Sequence, residues 1–265
     1  MTRKTVLASL LGVAGLVAVA ATGSWRADAS VGTEIRSSEL PTHAALKAAL
    51  TEARQVDNGG FDLDMWATVV DRDGIVRAVA FTGGDRGAQW PGSRVISAQK
   101  ANTANAFSLP GLALATANLF SAVQPGASLF GLQFSNPVNT EVAYGGDAAR
   151  FGQADDPMVG RRVGGVNVFG GGFGLYNAEG ELIGAIGVSG DSSCADHNIA
   201  WRTRHLLELD YVPAGVSGDE QRPDNIIFDI GPAGSAGGFG HPHCGSDAQK
   251  ESDIAGALSP VRTKA

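Results

Sequence analysis

The chain of 265 residues holds few side chains able to ligate a metal or move a proton near neutral pH: five histidines, His43, His197, His205, His241 and His243, and two cysteines, Cys194 and Cys244. An imidazole ligates through a neutral ring nitrogen with a free lone pair. His43 is the leading site residue. It follows Pro41-Thr42 at the start of a helical pattern, three residues before Leu46 and seven before Leu50, so its ring lies at the end of the apolar stripe. The positive end of a helix there favours neutral imidazole over imidazolium. A surface histidine at a helix start would look the same. His197 ranks second, three residues beyond Cys194 at a strand-to-helix junction, with helix-start packing as its alternative role. His205, His241 and His243 read as structural or solvent-facing. Arg94 and Lys100, on a helix rich in small residues, are the cations suited to a ligand carboxylate, one as a planar fork and the other as a point charge; solvated surface positions are the alternative. Trp66, Trp90, Phe169 and Phe173 read as core.

Cys194 and Cys244 are expected to form a disulfide closing a loop of roughly 50 residues and pinning the glycine-rich C-terminal segment. A metal site is the alternative, because His241, His243 and Cys244 lie close together and His197 is near Cys194. The spacing matches no familiar zinc pattern, however, and Pro242 makes the segment extended. Neither cysteine belongs to a C-x-x-C-H motif. Gly187-Val188-Ser189-Gly190 lacks the nucleophile-elbow pattern, and no serine, histidine and acid spacing points to a triad. Gly170-Gly171-Gly172-Phe173-Gly174 departs from the dinucleotide fingerprint and no Walker lysine follows.

Arg3-Lys4 followed by the uncharged apolar run from Leu7 to Gly23 is a signal-peptide pattern, and Ala27-Asp28-Ala29 offers a small-x-small cleavage site. Residues 1–29 are therefore expected to be removed, with the mature chain starting at Ser30, periplasmic or secreted, and without stable membrane insertion after processing. A retained anchor is the alternative, although the run falls short of the ~20 apolar residues that span a bilayer comfortably. Processing moves the formal charge from −7 to about −9, with 17 basic and 26 acidic residues left. Without a Lys/Arg cluster to neutralise phosphates, such a chain is not expected to bind nucleic acid.

The elements that must position these residues can be read coarsely. Apolar positions at helical spacing place a helix over about Pro41 to Val56. Met65 to Val70 and Ile75 to Phe81, joined by Asp71-Arg72-Asp73-Gly74, read as a hairpin. A second hairpin takes Val166 to Phe169 with Phe173 to Tyr176, the turn Asn177-Ala178-Glu179-Gly180, and Leu182 to Val188. Helices are expected over Ser93 to Phe107, with Ala98, Ala101 and Ala104 allowing a close approach, over Leu112 to Val123, and over His197 to Leu209 with Asp196 as cap. The fold class is α+β with a mainly antiparallel sheet. The expected domain runs over residues 30–230, followed by a glycine-rich tail over 231–265.

Four stretches in this order resemble the GlcG/HbpS haem-binding family: Leu40-Pro41-Thr42 with Lys47-Ala48-Ala49; Thr68-Val69-Val70-Asp71-Arg72-Asp73-Gly74; Ala98-Gln99-Lys100-Ala101-Asn102-Thr103-Ala104; and Gly180-Glu181-Leu182-Ile183-Gly184-Ala185-Ile186-Gly187-Val188-Ser189-Gly190 followed by Asp196 and Ala200. The resemblance covers about residues 39–210, apart from an enlarged middle over about 111–162. A second departure is Asp196-His197 where that family more often has Asp-Glu. The resemblance implies a profilin-like or sensor-like fold, homo-oligomers, and haem as cofactor, with a histidine near the first helix as iron ligand, the place held here by His43. Lys100 and Arg94 would then face the propionates. Three functions follow: an exported haem-binding carrier, sensor or store; an enzyme acting on haem or a small organic acid; or a non-catalytic oligomeric interaction module.

Overall fold

The computed structural model describes residues 39–264, and the expected signal segment and the Ser30 start lie outside them. The elements in chain order are α1 (His43–Arg54), β1 (Trp66–Asp71), β2 (Val76–Phe81), α2 (Ser93–Phe107), α3 (Leu132–Ser135), α4 (Thr140–Tyr144), β3 (Gly172–Tyr176), β4 (Leu182–Ser189), α5 (Ser193–Leu206), β5 (Ile230–Gly231), β6 (Gly234–Ser235) and α6 (Ala248–Gly256). None of the described helices is long and apolar enough to cross a membrane.

α1 begins where the Thr42 hydroxyl accepts the Ala45 amide at 3.2 Å. Leu46, Ala49, Leu50 and Ala53 turn inward, and full burial of Leu46 or Leu50 contributes about 2 kcal/mol each. In the first hairpin the Asp71 carboxylate accepts the amides of Asp73 and Ile75, and Gly74 takes a φ of 74° that a side chain would resist. The second turn repeats the device, with Asn177 Oδ1 accepting the Glu181 amide. β1 pairs antiparallel with β4 from Trp66 opposite Ser189 onward, which gives the four-stranded order β2-β1-β4-β3. The fold is α+β with a fully antiparallel main sheet.

α2 packs against β1, β4 and β3, while α1 and α5 pack with each other and against the sheet through a second cluster of Leu46, Leu50, Phe173, Ile186, Ile199 and Trp201. The approach of α2 depends on small residues on both sides. A Cβ at Gly187 would strike the Ser97 carbonyl and the Ala101 amide, and Ala98, Ala101 and Ala104 are fully buried.

Some elements depart from expectation. Residues 112–123 form two 3-10 turns, Thr116–Leu119 and Ser121–Val123, because local side chains take the backbone: Asn118 Oδ1 accepts the Ala115 amide and Thr116 Oγ1 accepts Gly172 N–H. Val166 to Phe169 is not a strand, since its amides bond side chains, Asn167 N–H to Thr103 Oγ1 at 2.9 Å and Phe169 N–H to Asn167 Oδ1. The last long helix begins at Ser193, capped by Ser192 and not by Asp196. The C-terminal segment carries α6, buries Leu258 to 1 % exposure and receives the Trp201 indole N–H at the Ser259 carbonyl. It is thus part of the core, and all described residues fall in one compact unit.

Candidate functional site

His43 sits on the first turn of α1, half-buried, with its Nε2 2.9 Å from the carbonyl of Gly152, 109 residues away in sequence. Gly152 has a φ of 75° and lies so close to Phe81 and Trp66 that a Cβ there would collide with both rings. Trp66 and Phe81 meet edge to face at 5.1 Å between centroids, and Lys47 Nζ stands 5.3 Å over the Phe81 ring. His43 therefore rests on a rigid aromatic base. Outward from it lies an open depression of about 750 Å³ formed with Ala44, Lys47, Ala48, Thr51, Glu52 and Gln55.

The other residues singled out by type are placed differently. Lys100 is 1 % exposed and donates to Asp196 Oδ2 at 2.7 Å and to the Val188 carbonyl at 3.1 Å. Burial lowers the Lys100 pKa and raises that of Asp196 to about 6, so for both groups desolvation outweighs the partner's attraction. Arg94 is 2 % exposed, forms a two-pronged contact with the Asp156 carboxylate, and donates to the Ala143 carbonyl at 2.9 Å. Both cations are matched inside the protein and not presented to a ligand. His197 is fully buried against Phe173, at 4.6 Å between centroids, with its Nε2 3.1 Å from Asn225 Oδ1 and 3.0 Å from the Ile226 amide, and with its buried Nδ1 lacking a partner among the described residues. Burial pushes its pKa down to about 3, so it stays neutral and enclosed by Phe173, Trp201 and Asn225. The structure brings Lys100 and His197 to one interior region around Asp196 and leaves His43 apart from them. Of the expected aromatic core, Trp66 and Phe173 are buried, whereas Trp90 and Phe169 are about half exposed, at 52 % and 46 %.

Cys194 and Cys244 form a disulfide with their Cα atoms 6.0 Å apart. His241 completes a cluster with the two sulfurs within 4.8 Å, but the sulfurs are bonded to each other and offer no thiolate. His241 Nδ1 donates to the Pro242 carbonyl at 2.7 Å, and Nε2 accepts from the Ser193 hydroxyl at 2.7 Å. That pairing of a serine with a neutral imidazole, whose pKa burial lowers to about 4, was not legible from spacing. It is a closed arrangement: His241 is 2 % exposed, lies 5.0 Å from the Phe120 ring, and Ser193 Oγ is also held by Gly170 N–H. Its role is to fasten the C-terminal segment to the start of α5.

The contribution of Gly152 to the surroundings of His43 carried no sequence signal, because it lies in the enlarged middle segment and is brought there only by folding.

The PduOC:heme complex is similar at 25 % identity, covering 63 % of this chain and 94 % of that chain, with a TM-score of 0.44. The Klebsiella pneumoniae protein ORFY is similar at 25 % identity, covering 63 % and 90 %, with a TM-score of 0.42. A double mutant of Streptomyces reticuli HbpS is similar at 17 % identity, covering 76 % and 98 %, with a TM-score of 0.40. No curated protein matches the chain. The family model described as haem degrading protein HbpS-like matches residues 41–204, more than half of the sequence, and the chain belongs to that HbpS-like family.

Proposed function

We propose that the chain binds haem and that His43 supplies an axial nitrogen to the iron. The observation that carries this reading is the contact of His43 Nε2 with the Gly152 carbonyl. A carbonyl only accepts, so Nε2 holds the proton and the neutral ring keeps its lone pair on Nδ1, which has no partner among the described residues. Metal-binding histidines are commonly held in this way, the second ring nitrogen donating to a carbonyl that sets tautomer and orientation. The surface beside the ring suits a flat ligand: Ala44 and Ala48 are small and exposed, and the exposed Lys47 offers an ammonium to a propionate. Membership of a family described as haem degrading supports the same ligand. Bound iron would supply redox chemistry that these side chains lack, and the protein's part would be to hold the group through His43, with Lys47 beside it for a carboxylate.

The second reading, haem degradation, rests on the family description. Decay of the Soret band under a reductant with oxygen would separate an enzyme from a carrier, sensor or store. Export and processing near Ser30 are supported by the N-terminal pattern and by the disulfide, which persists in oxidising compartments. Self-association is supported by the large exposed apolar side chains Phe130, Phe134 and Tyr144. Intact mass of exported protein tests the first, and light scattering over a wide concentration range the second.

Hemin titration of the wild type, His43→Ala and His197→Ala, followed by absorption spectroscopy, tests the haem site. Loss of the ligand-field signature in His43→Ala is expected. Unchanged spectrum and affinity in that variant would overturn the assignment, and a loss confined to His197→Ala would move the site to α5.

A further inference from the structure

Bordered by Phe151 lies a second cavity, of about 410 Å³, whose lining does not include His43. Its walls are apolar: Trp66 at the start of β1, Val95 in the first turn of α2, Tyr144 at the end of α4, and Phe151. Its volume falls within the range of small-molecule sites, about 300 to 1,000 Å³.

Among the residues that line this space, three carry a donor with no acceptor among the described residues. Trp66 is 1 % exposed and its buried Nε1 has no hydrogen-bond partner, an uncommon state for an indole N–H that costs about 1 to 3 kcal/mol. α2 starts at Gly92 with no side-chain cap and no acidic residue in its first turn. Its amides of Ser93, Arg94 and Ile96 reach the carbonyls of Trp90, Pro91 and Gly92, while that of Val95 reaches none among the described residues. Arg86, exposed at the rim, forms no ion pair among the described residues; its neighbour Asp85 instead accepts the Gly87 amide. Arg94 also lines the cavity, but its guanidinium is held by Asp156 and lies 3.7 Å over the Phe151 ring, where it acts as part of the wall.

An apolar chamber with one exposed guanidinium at its rim, beside a helix start whose Val95 amide is unpaired and with the buried unpaired Trp66 indole N–H behind its wall, has the composition of a site for an anion with an apolar body. We propose that this cavity binds a small amphipathic carboxylate, with the ring or branched body against Trp66, Val95, Tyr144 and Phe151 and the carboxylate toward Arg86 and the start of α2. The site is separate from the one assigned to haem and does not depend on it.

Phenylacetate and indole-3-acetate, with phenylacetamide as the uncharged control, serve as probes on the full mature chain, read by the indole N–H resonances in a proton–nitrogen NMR titration. Trp66→Phe identifies the Trp66 signal. Saturable binding of the acids with a downfield shift of that signal is expected, together with roughly fivefold weaker binding in Arg86→Gln. Ala148→Phe, a change at an exposed position on the cavity wall, should block binding while the remaining resonances stay in place. Absence of a saturable shift with either acid would overturn the proposal. So would equal binding of acid and amide, or indifference to Arg86→Gln. If Arg86→Gln instead weakened hemin binding, the cavity would be part of the haem site and the separate site would be refuted.

Discussion

The interior beneath α5 and the surface around α1 and the start of α2 use similar residue types to opposite ends. Beneath α5, Arg204 and Asp224 form a two-pronged ion pair at 2.6 and 2.9 Å with both side chains fully buried, and Arg204 also lies over the Phe173 and Trp201 rings. Lys100 and Asp196 form a second enclosed pair, and His197 is neutral, fully buried and set against Asn225 and the Ile226 amide. Around α1 and the first turn of α2, by contrast, the exposed Arg86 and the half-buried His43 Nδ1 stand beside open space with no partner among the described residues, whereas the unpartnered His197 Nδ1 and Arg204 Nε beneath α5 are sealed from it. Residue type alone does not mark a ligand site. Buried charges must be paired to be tolerated, so the interior consumes its cations, and unmatched donors and lone pairs beside open space are what a ligand can use.

The sharpest way to break this contrast is to remove one member of an enclosed pair. Asp196→Ala leaves Lys100 charged and buried and takes away the acceptor of the Asp191 amide, so urea denaturation should show a loss of about 3 to 5 kcal/mol. Replacing both members, Lys100→Met with Asp196→Leu, should restore much of that loss, because no isolated charge remains. Next in size is the disulfide. It closes a 50-residue separation, so Cys194→Ser with Cys244→Ser should lower stability by about 2 to 4 kcal/mol and loosen α6 and the 241–244 segment, read by hydrogen exchange.

A smaller effect comes from acid. Burial lowers the pKa of His197 to about 3 and of His241 to about 4, so the unfolded chain takes up protons that the fold refuses, and stability present above pH 6.5 is lost as pH falls toward 4. Asp196, raised to about 6, has the opposite sign: its contribution favours the fold at low pH and is lost as pH rises through about 6. The net loss between pH 6.5 and 4 should be about 3 kcal/mol in thermal unfolding, and His197→Gln should flatten the profile. Smallest of all, His43→Ala and Arg86→Gln should each change stability by no more than about 0.5 kcal/mol, since neither side chain is in the core. A large loss in either would mean that the α1 and α2 surface is structural in the same sense as the interior.

Local pattern was sufficient wherever neighbouring residues decide the outcome. The stripe Leu46, Ala49, Leu50 and Ala53 specifies α1, the Asp71 and Asn177 turns specify the hairpins, and the alanines of α2 announce a close approach, because side-chain periodicity and turn chemistry act over a few residues. The family resemblance and the cysteine pairing were legible for a related reason: order and number survive in the sequence. The irregular course of 112–123 and 166–169, the inward turn of Asp196, and α6 as part of the core were not legible, since each depends on partners distant in sequence, such as Thr103 for Asn167 and Ser259 for Trp201. The site divides in the same way. The sequence by itself determined that His43 opens a helix and that Lys100 and Arg94 share another. Only the tertiary structure decided that Asp196 and Asp156 would neutralise those cations and that Gly152, 109 residues away, would set the tautomer of His43. Helix register is local, whereas partnership is a matter of distance in space, which the order of residues along the chain does not contain.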